Sequence, residues 1–112
     1  MTKALHDLQV LLALFHGPRH GYAIITDVAD RTGGRVVIGA SSLYAIIRRL
    51  LRDTLVEDAG DMPTESKGPP RRYYRITEAG RDAARAETER LRSAVRAADA
   101  VIGEAVPELE ES

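Results

Sequence analysis

The chain has 112 residues, 44% of them hydrophobic and 29% charged, with a formal net charge of −1. This describes one globular domain with at most a small appendage, too apolar to be disordered. With no cysteine it holds neither disulfides nor thiolate metal ligands; no apolar run approaches a membrane span and no signal-peptide pattern opens the chain, so a cytoplasmic protein is expected.

A first helix is predicted over residues 4–16, stopped by Gly17-Pro18. Leu5, Leu8, Leu12 and Phe15 form one apolar stripe, and Val10, Leu11 and Leu14 cover much of the remainder. A helix apolar around most of its circumference is buried on two sides, and in so small a chain the second side is expected to meet another subunit. A second helix follows over about 21–32, with Tyr22, Ile25, Val28, Ala29 and Thr32 in helical period and Gly33-Gly34 at its end. Val36-Val37-Ile38 reads as a short β-prone connector.

The third helix, residues 41–53, is the most informative segment. Leu43, Ile46, Ile47, Leu50 and Leu51 form one apolar stripe, while Tyr44, Ala45, Arg48, Arg49 and Arg52 occupy the opposite face. Ser41 and Ser42 stand where an N-cap is expected. One side is built to dock on a core and the other to lie against an anion-rich surface.

The period then changes. Leu55–Asp58 and Arg72–Ile76 read as two strands, separated by loop material at Gly60-Asp61-Met62-Pro63 and Lys67-Gly68-Pro69-Pro70. This hairpin is basic on its distal side, with Lys67, Arg71, Arg72 and Arg75 close together. Residues 1–75 hold 11 Lys+Arg against 8 Asp+Glu, and residues 76–112 hold 5 against 9. Phosphate responds to such local potential rather than to the total.

Thr77 is a good N-cap for a last helix, from about Glu78 to Gly103. In it Ala84, Thr88, Leu91, Val95, Ala98 and Ile102 are spaced 4-3-4-3-4, a heptad-like seam suited to a homodimer. The alternative is that this seam packs only on its own domain. The expected fold class is mainly α with a small β-hairpin, a winged helix-turn-helix with a C-terminal dimerisation helix. Its expected division is a DNA-binding domain at 1–77, a dimerisation helix at 78–106 and an acidic tail at 107–112.

Four segments in order resemble PadR-family transcriptional regulators. They are Gln9–Leu14; His20-Gly21-Tyr22-Ala23-Ile24; Ser42-Leu43-Tyr44 with Arg48-Arg49-Leu50; and Gly68 with Arg71–Gly80. Ser41-Ser42 and Ala45 depart from the family's common Gly-Thr before, and Pro after, the Leu-Tyr pair. The single last helix resembles the compact branch of the family. The resemblance implies a bacterial repressor that binds double-stranded DNA as a homodimer on a palindromic operator. Family members often take flat hydrophobic or cationic effectors between the first and last helices. With no tryptophan and one phenylalanine, this chain is expected to offer at most a small apolar cavity for a hydrophobic effector.

Arg48 and Arg49 are the first candidates for guanine edges or phosphates, with Arg52 beside them. Ser41, Ser42 and Tyr44 suit phosphate, and the resemblance places Tyr22 near the backbone as well. Lys67, Arg71 and Arg72 on the wing are expected to track phosphate. Surface arginines also pair with nearby acids such as Asp53 or Glu57. The expected dimer contacts are Leu5, Leu8, Leu12, Phe15, Thr88, Leu91, Val95, Ala98 and Ile102. No catalytic, metal or cofactor site is expected, since His6, His16 and His20 lack a metal-binding spacing and no phosphate-binding glycine motif occurs. A competing reading is a winged helix whose arginine face binds an acidic protein partner.

Overall fold

Apolar residues three and four apart produce three short helices, α1 (Thr2–Ala13), α2 (Gly21–Arg31) and α3 (Ala40–Arg52), and a long fourth helix, α4 (Glu78–Glu111), closes the chain. Three strands, β1 (Arg19–His20), β2 (Val56–Met62) and β3 (Arg71–Ile76), form an antiparallel sheet in the order β1-β3-β2. The structure, a computed structural model, describes the backbone of residues 2–62 and 71–111 and the side chains of 4–61 and 71–103. The mainly helical winged arrangement is therefore present, with one strand more than the sequence announces. β1 is too short for any period to declare itself; it pairs Arg19 with Tyr74 and His20 with Tyr73.

One core joins these elements. Its fully buried side chains are Val10 of α1 and Leu14 just after it, Ile24 and Val28 of α2, Leu43, Ile47 and Leu50 of α3, and Val56 of β2. Tyr74 and Ile76 alternate onto the buried face of β3. Leu8, expected at a subunit contact, lies in this core instead, beside Leu50 of α3 and Ala83 of α4. Val36–Ile38 forms no strand. The Val36 N–H donates to Thr32 Oγ1 at 3.0 Å, and Ile38 plugs into the core just ahead of α3.

Helix ends differ from expectation in instructive ways. Regular helix in α1 stops at Ala13; residues 14–17 continue as tighter three-residue turns, and Arg19 Nε donates to the freed Ala13 carbonyl at 2.8 Å. The hydroxyl cap expected for α3 is absent. Gly39 is its N-cap and makes no side-chain bond, while Ser41 and Ser42 sit exposed inside the first turn. The helix of α4 runs past Gly103 and through Pro107 to Glu111, so the backbone shows no break between residues 78–106 and the expected tail. Alanine, arginine and glutamate dominate that stretch and favour helix.

The junction between α3 and α4 is tightly specified. The Leu55 N–H donates to Leu50 O and the Thr54 N–H to Leu51 O, a Schellman-type ending with Thr54 at φ 56. A threonine there costs roughly 1 kcal/mol against glycine. The turn is held from the far side: the Thr77 hydroxyl donates to Thr54 O at 2.7 Å and the Thr77 N–H to Leu55 O at 3.1 Å. Thr77 Oγ1 in turn accepts the Gly80 N–H at 3.0 Å, which caps α4. From there Ala84 is buried and Ala83 and Leu91 pack on the core, but every residue from Arg92 to Gly103 is exposed. The helix leaves the domain, and the molecule measures 65 × 27 × 23 Å.

Gly80 makes this junction possible, since a Cβ there would stand 2.0 Å from Leu55 O and 2.7 Å from the Ile76 side chain. Backbone cannot yield as a flexible side chain would. Gly80→Ala is therefore expected to cost about 3 kcal/mol, read as a lower urea midpoint with an unchanged denaturant slope.

Candidate nucleic-acid interface

Seating α3 by Leu43, Ile46, Ile47 and Leu50 determines what its other side can present. Each such side chain is worth about 1.5–3 kcal/mol when buried, so the helix cannot roll without large loss. Ser41, Ser42, Tyr44, Ala45, Arg48 and Arg52 are left exposed. Arg48 has no carboxylate partner among the described residues, and Arg52 meets only Asp53, its chain neighbour, at 3.5 Å.

Arg49 behaves differently. Its guanidinium forms an ion pair with Asp7 of α1, and both side chains are largely buried. One residue beyond Arg48, the helical step of about 100° turns it towards α1 and away from the outer face. Arg49, expected at guanine edges or phosphates, is thus held against α1 rather than presented beside Arg48. Its observed role is to tie α3 to α1.

Tyr44 does more than face outward. Its hydroxyl lies over the first residue of α2, where a Cβ on Gly21 would stand 2.6 Å from it. Glycine at 21 thus lets α3 and the start of α2 approach. Just ahead, His20 caps α2 by accepting the Ala23 N–H on Nδ1 at 3.1 Å, and its ring meets Tyr73 edge-on at 5.3 Å. Burial, and then the nearby Arg71, hold the His20 pKa below its usual value, which favours the neutral ring. This role is legible only once β1 is known.

Tyr22 is 66% exposed, and the Arg71 guanidinium sits 5.8 Å from its ring centre. Tyr22, Tyr44, His20, Gly21, Arg71 and Arg72 line one cleft of about 370 Å³. The start of α2, the outer face of α3 and the base of β3 therefore form one continuous surface. It carries two tyrosines and, in Arg71, a second guanidinium with no carboxylate partner among the described residues. Arg35, in the loop before α3, is likewise exposed and without such a partner. It stands alone in a glycine-flanked loop, where no period or charge cluster marks it in the sequence.

The remaining wing arginines are engaged. Arg75 Nε meets Glu57 at 2.9 Å, and Arg72 is bound by Asp58 and, at 3.1 Å from Nε, by Asp61. Both arginines face acids across the strand register, which pairs Glu57 with Arg75 and Asp61 with Arg72. The Gly60 N–H, and then Arg72, lower the Asp58 pKa below the ordinary carboxylate value. Lys67 lies outside the described residues. No group of His, Asp or Glu fit to hold a metal ion occurs among the described residues, and none of their helices is long and apolar enough to cross a membrane.

The sequence profile of the transcriptional regulator PadR-like family matches residues 10–86, from the last turn of α1 to the first turns of α4. The chain belongs to the PadR-like family. A transcriptional regulator from Clostridium thermocellum has the same fold, with a TM-score of 0.70 and 26% identity over 90% of this chain and 92% of that one. Bacillus subtilis PadR in complex with operator DNA shares the fold at TM-score 0.64, with 17% identity over 75% of this chain and 46% of that one. A 37.1 kDa uncharacterized protein in transposon TN4556 of Streptomyces fradiae is 37% identical over 91% of this chain, which spans 26% of that protein. The family expected from the ordered motifs is thus the family found.

Proposed function

We propose that this PadR-like protein is a sequence-specific repressor that binds a palindromic operator as a homodimer, with α3 in the major groove. The observation that carries the reading is the outer face of α3, where Arg48 and Arg52 are exposed and Tyr44 joins the cleft of Tyr22 and Arg71. Docking by a recognition helix puts its first turns nearest the bases. Ser41 and Ser42 then meet phosphate at the helix N-terminus, Arg48 reads guanine, and Arg52 reaches phosphate beyond the groove. Tyr22, Tyr44 and Arg71 hold the flanking backbone by hydroxyl and guanidinium contacts. Support also comes from the operator complex of Bacillus subtilis PadR, which has the same fold.

The homodimer reading rests on α4. Val95, Ala98, Val101 and Ile102 are exposed on the part of the helix that leaves the domain, with Val95 at 58%. An apolar row of this kind is stabilised by a second copy. Leu5 is exposed on α1, and Leu12, Phe15, Thr88 and Leu91 are half-buried nearer the core, where they flank the same side. An effector, in this reading, occupies the groove of about 350 Å³ between α1 and α4, lined by Leu12, Phe15, Ala84, Arg85, Thr88, Glu89 and Arg92. It acts by changing the separation of the two recognition helices, about 34 Å for one DNA turn.

Salt-titrated binding to the DNA upstream of the protein's own coding region, against a scrambled duplex, tests the DNA reading. Tighter binding to the upstream DNA is expected, and Arg48→Ala is expected to remove about 1–3 kcal/mol of it while leaving scrambled binding much less affected. No binding to either duplex at low salt would instead favour an acidic protein partner.

Val95→Asp is expected to convert a dimer to a monomer at micromolar concentration in sedimentation, with the thermal transition of the isolated domain retained. Leu91 is the poorer probe, because it also packs on its own core. A Val95→Asp protein that stays dimeric would put the interface elsewhere.

A further inference from the structure

The hairpin treats its arginines in a way that stability does not explain. Asp58, Arg72 and Asp61 form a trio in which Nη1 of the guanidinium meets Asp58 Oδ2 and Nε meets Asp61 Oδ1 at 3.1 Å. All three side chains are about half exposed, a setting in which ion pairs contribute little to folding. Yet the backbone is built to aim one of them. A bulge interrupts the β2–β3 register between Asp58 and Gly60, and Gly60 takes the left-handed conformation at φ 86. In that conformation its N–H donates to Asp58 Oδ1 at 2.7 Å, leaving Oδ2 turned to Arg72.

The electrostatic result is the reverse of what a DNA-binding wing needs. Two carboxylates on one guanidinium leave the trio with a net charge of −1. It lies at the edge of the cleft where Arg71, Tyr22 and Tyr44 meet solvent. A phosphate arriving there competes with two carboxylates for the charge of one guanidinium, and one of those carboxylates is held in place by the backbone. Resting on the DNA-binding reading above, we infer that Asp58 and Asp61 are internal competitors for DNA phosphate at Arg72. They limit the generic, salt-dependent part of the affinity, which makes release from DNA easier and leaves retention to α3.

The test compares the wild-type protein, Asp58→Asn/Asp61→Asn, and the same double variant with Arg72→Gln, by salt titration on upstream and scrambled duplexes. Asparagine at 58 keeps an oxygen for the Gly60 N–H, so the bulge is retained. Asp61→Asn alone serves as a second variant that leaves the bulge untouched, with circular dichroism checking the fold of each. One released guanidinium is expected to raise affinity for either duplex roughly tenfold at low salt and to steepen the slope of log affinity against log salt by about 0.9. Asp61→Asn is expected to give a smaller gain of the same sign. Adding Arg72→Gln is expected to remove the extra slope. Folded carboxylate variants with no gain would overturn the inference, as would a slope increment that survives Arg72→Gln, since the acids would then act by general repulsion. A wild-type protein and variants that all ignore both duplexes would overturn the DNA-binding reading itself.

Discussion

The seating of α3 in the core is the constraint on which the rest depends. Leu43, Ile46, Ile47 and Leu50 allow one rotation of the helix, and that rotation sorts its arginines. Arg48 and Arg52 go outward, while Arg49 turns in and is tied to Asp7. The sorting is a packing result rather than an electrostatic one. A single-residue change of register would bury an arginine without a partner, at a cost well beyond any gain from phosphate.

The same packing connects the surface of α3 to the long helix. Thr54 and Leu55 end α3 in a left-handed turn whose carbonyls receive Thr77, and Gly80 lets the first turn of α4 close over Leu55. At the other side Asp7 joins α1 to α3. A movement of α1 against α4 would therefore reach the C-terminal end of α3 from two sides, through Asp7 and through Thr77. In the proposed dimer, such a movement would couple the groove between α1 and α4 to the spacing of the two α3 helices.

Much of this was legible in the residues because it is local. The stripe of α3, the cap at Thr77, the glycine stops and the alternation of Tyr74 and Ile76 all follow from period two or period 3.6. What escaped depends on pairs distant in sequence. Asp7 and Arg49 are 42 positions apart, and nothing near Arg49 announces its partner. β1 exists only because β3 is beside it. The hydroxyls of Ser41 and Ser42 suggested a cap, but α3 begins at Ala40 with Gly39 as its N-cap, so both fall inside the first turn. Leu8 looked like surplus apolar surface only because α4 was not yet packed across α1. The wing acids were visible as residues, but their opposition to Arg72 and Arg75 required the register and its bulge.

Arginine makes up nearly all of the basic residues, so the account stands on which guanidiniums are available to a partner and which are already spoken for. Nitrogen-15 NMR of the arginine Nε–H groups during addition of the upstream duplex reads this directly. The account predicts that the Arg48, Arg52 and Arg71 signals move as DNA is added, while those of Arg49, Arg72 and Arg75 stay near their free positions. Large shifts at Arg49 or Arg72 with Arg48 unmoved would contradict it.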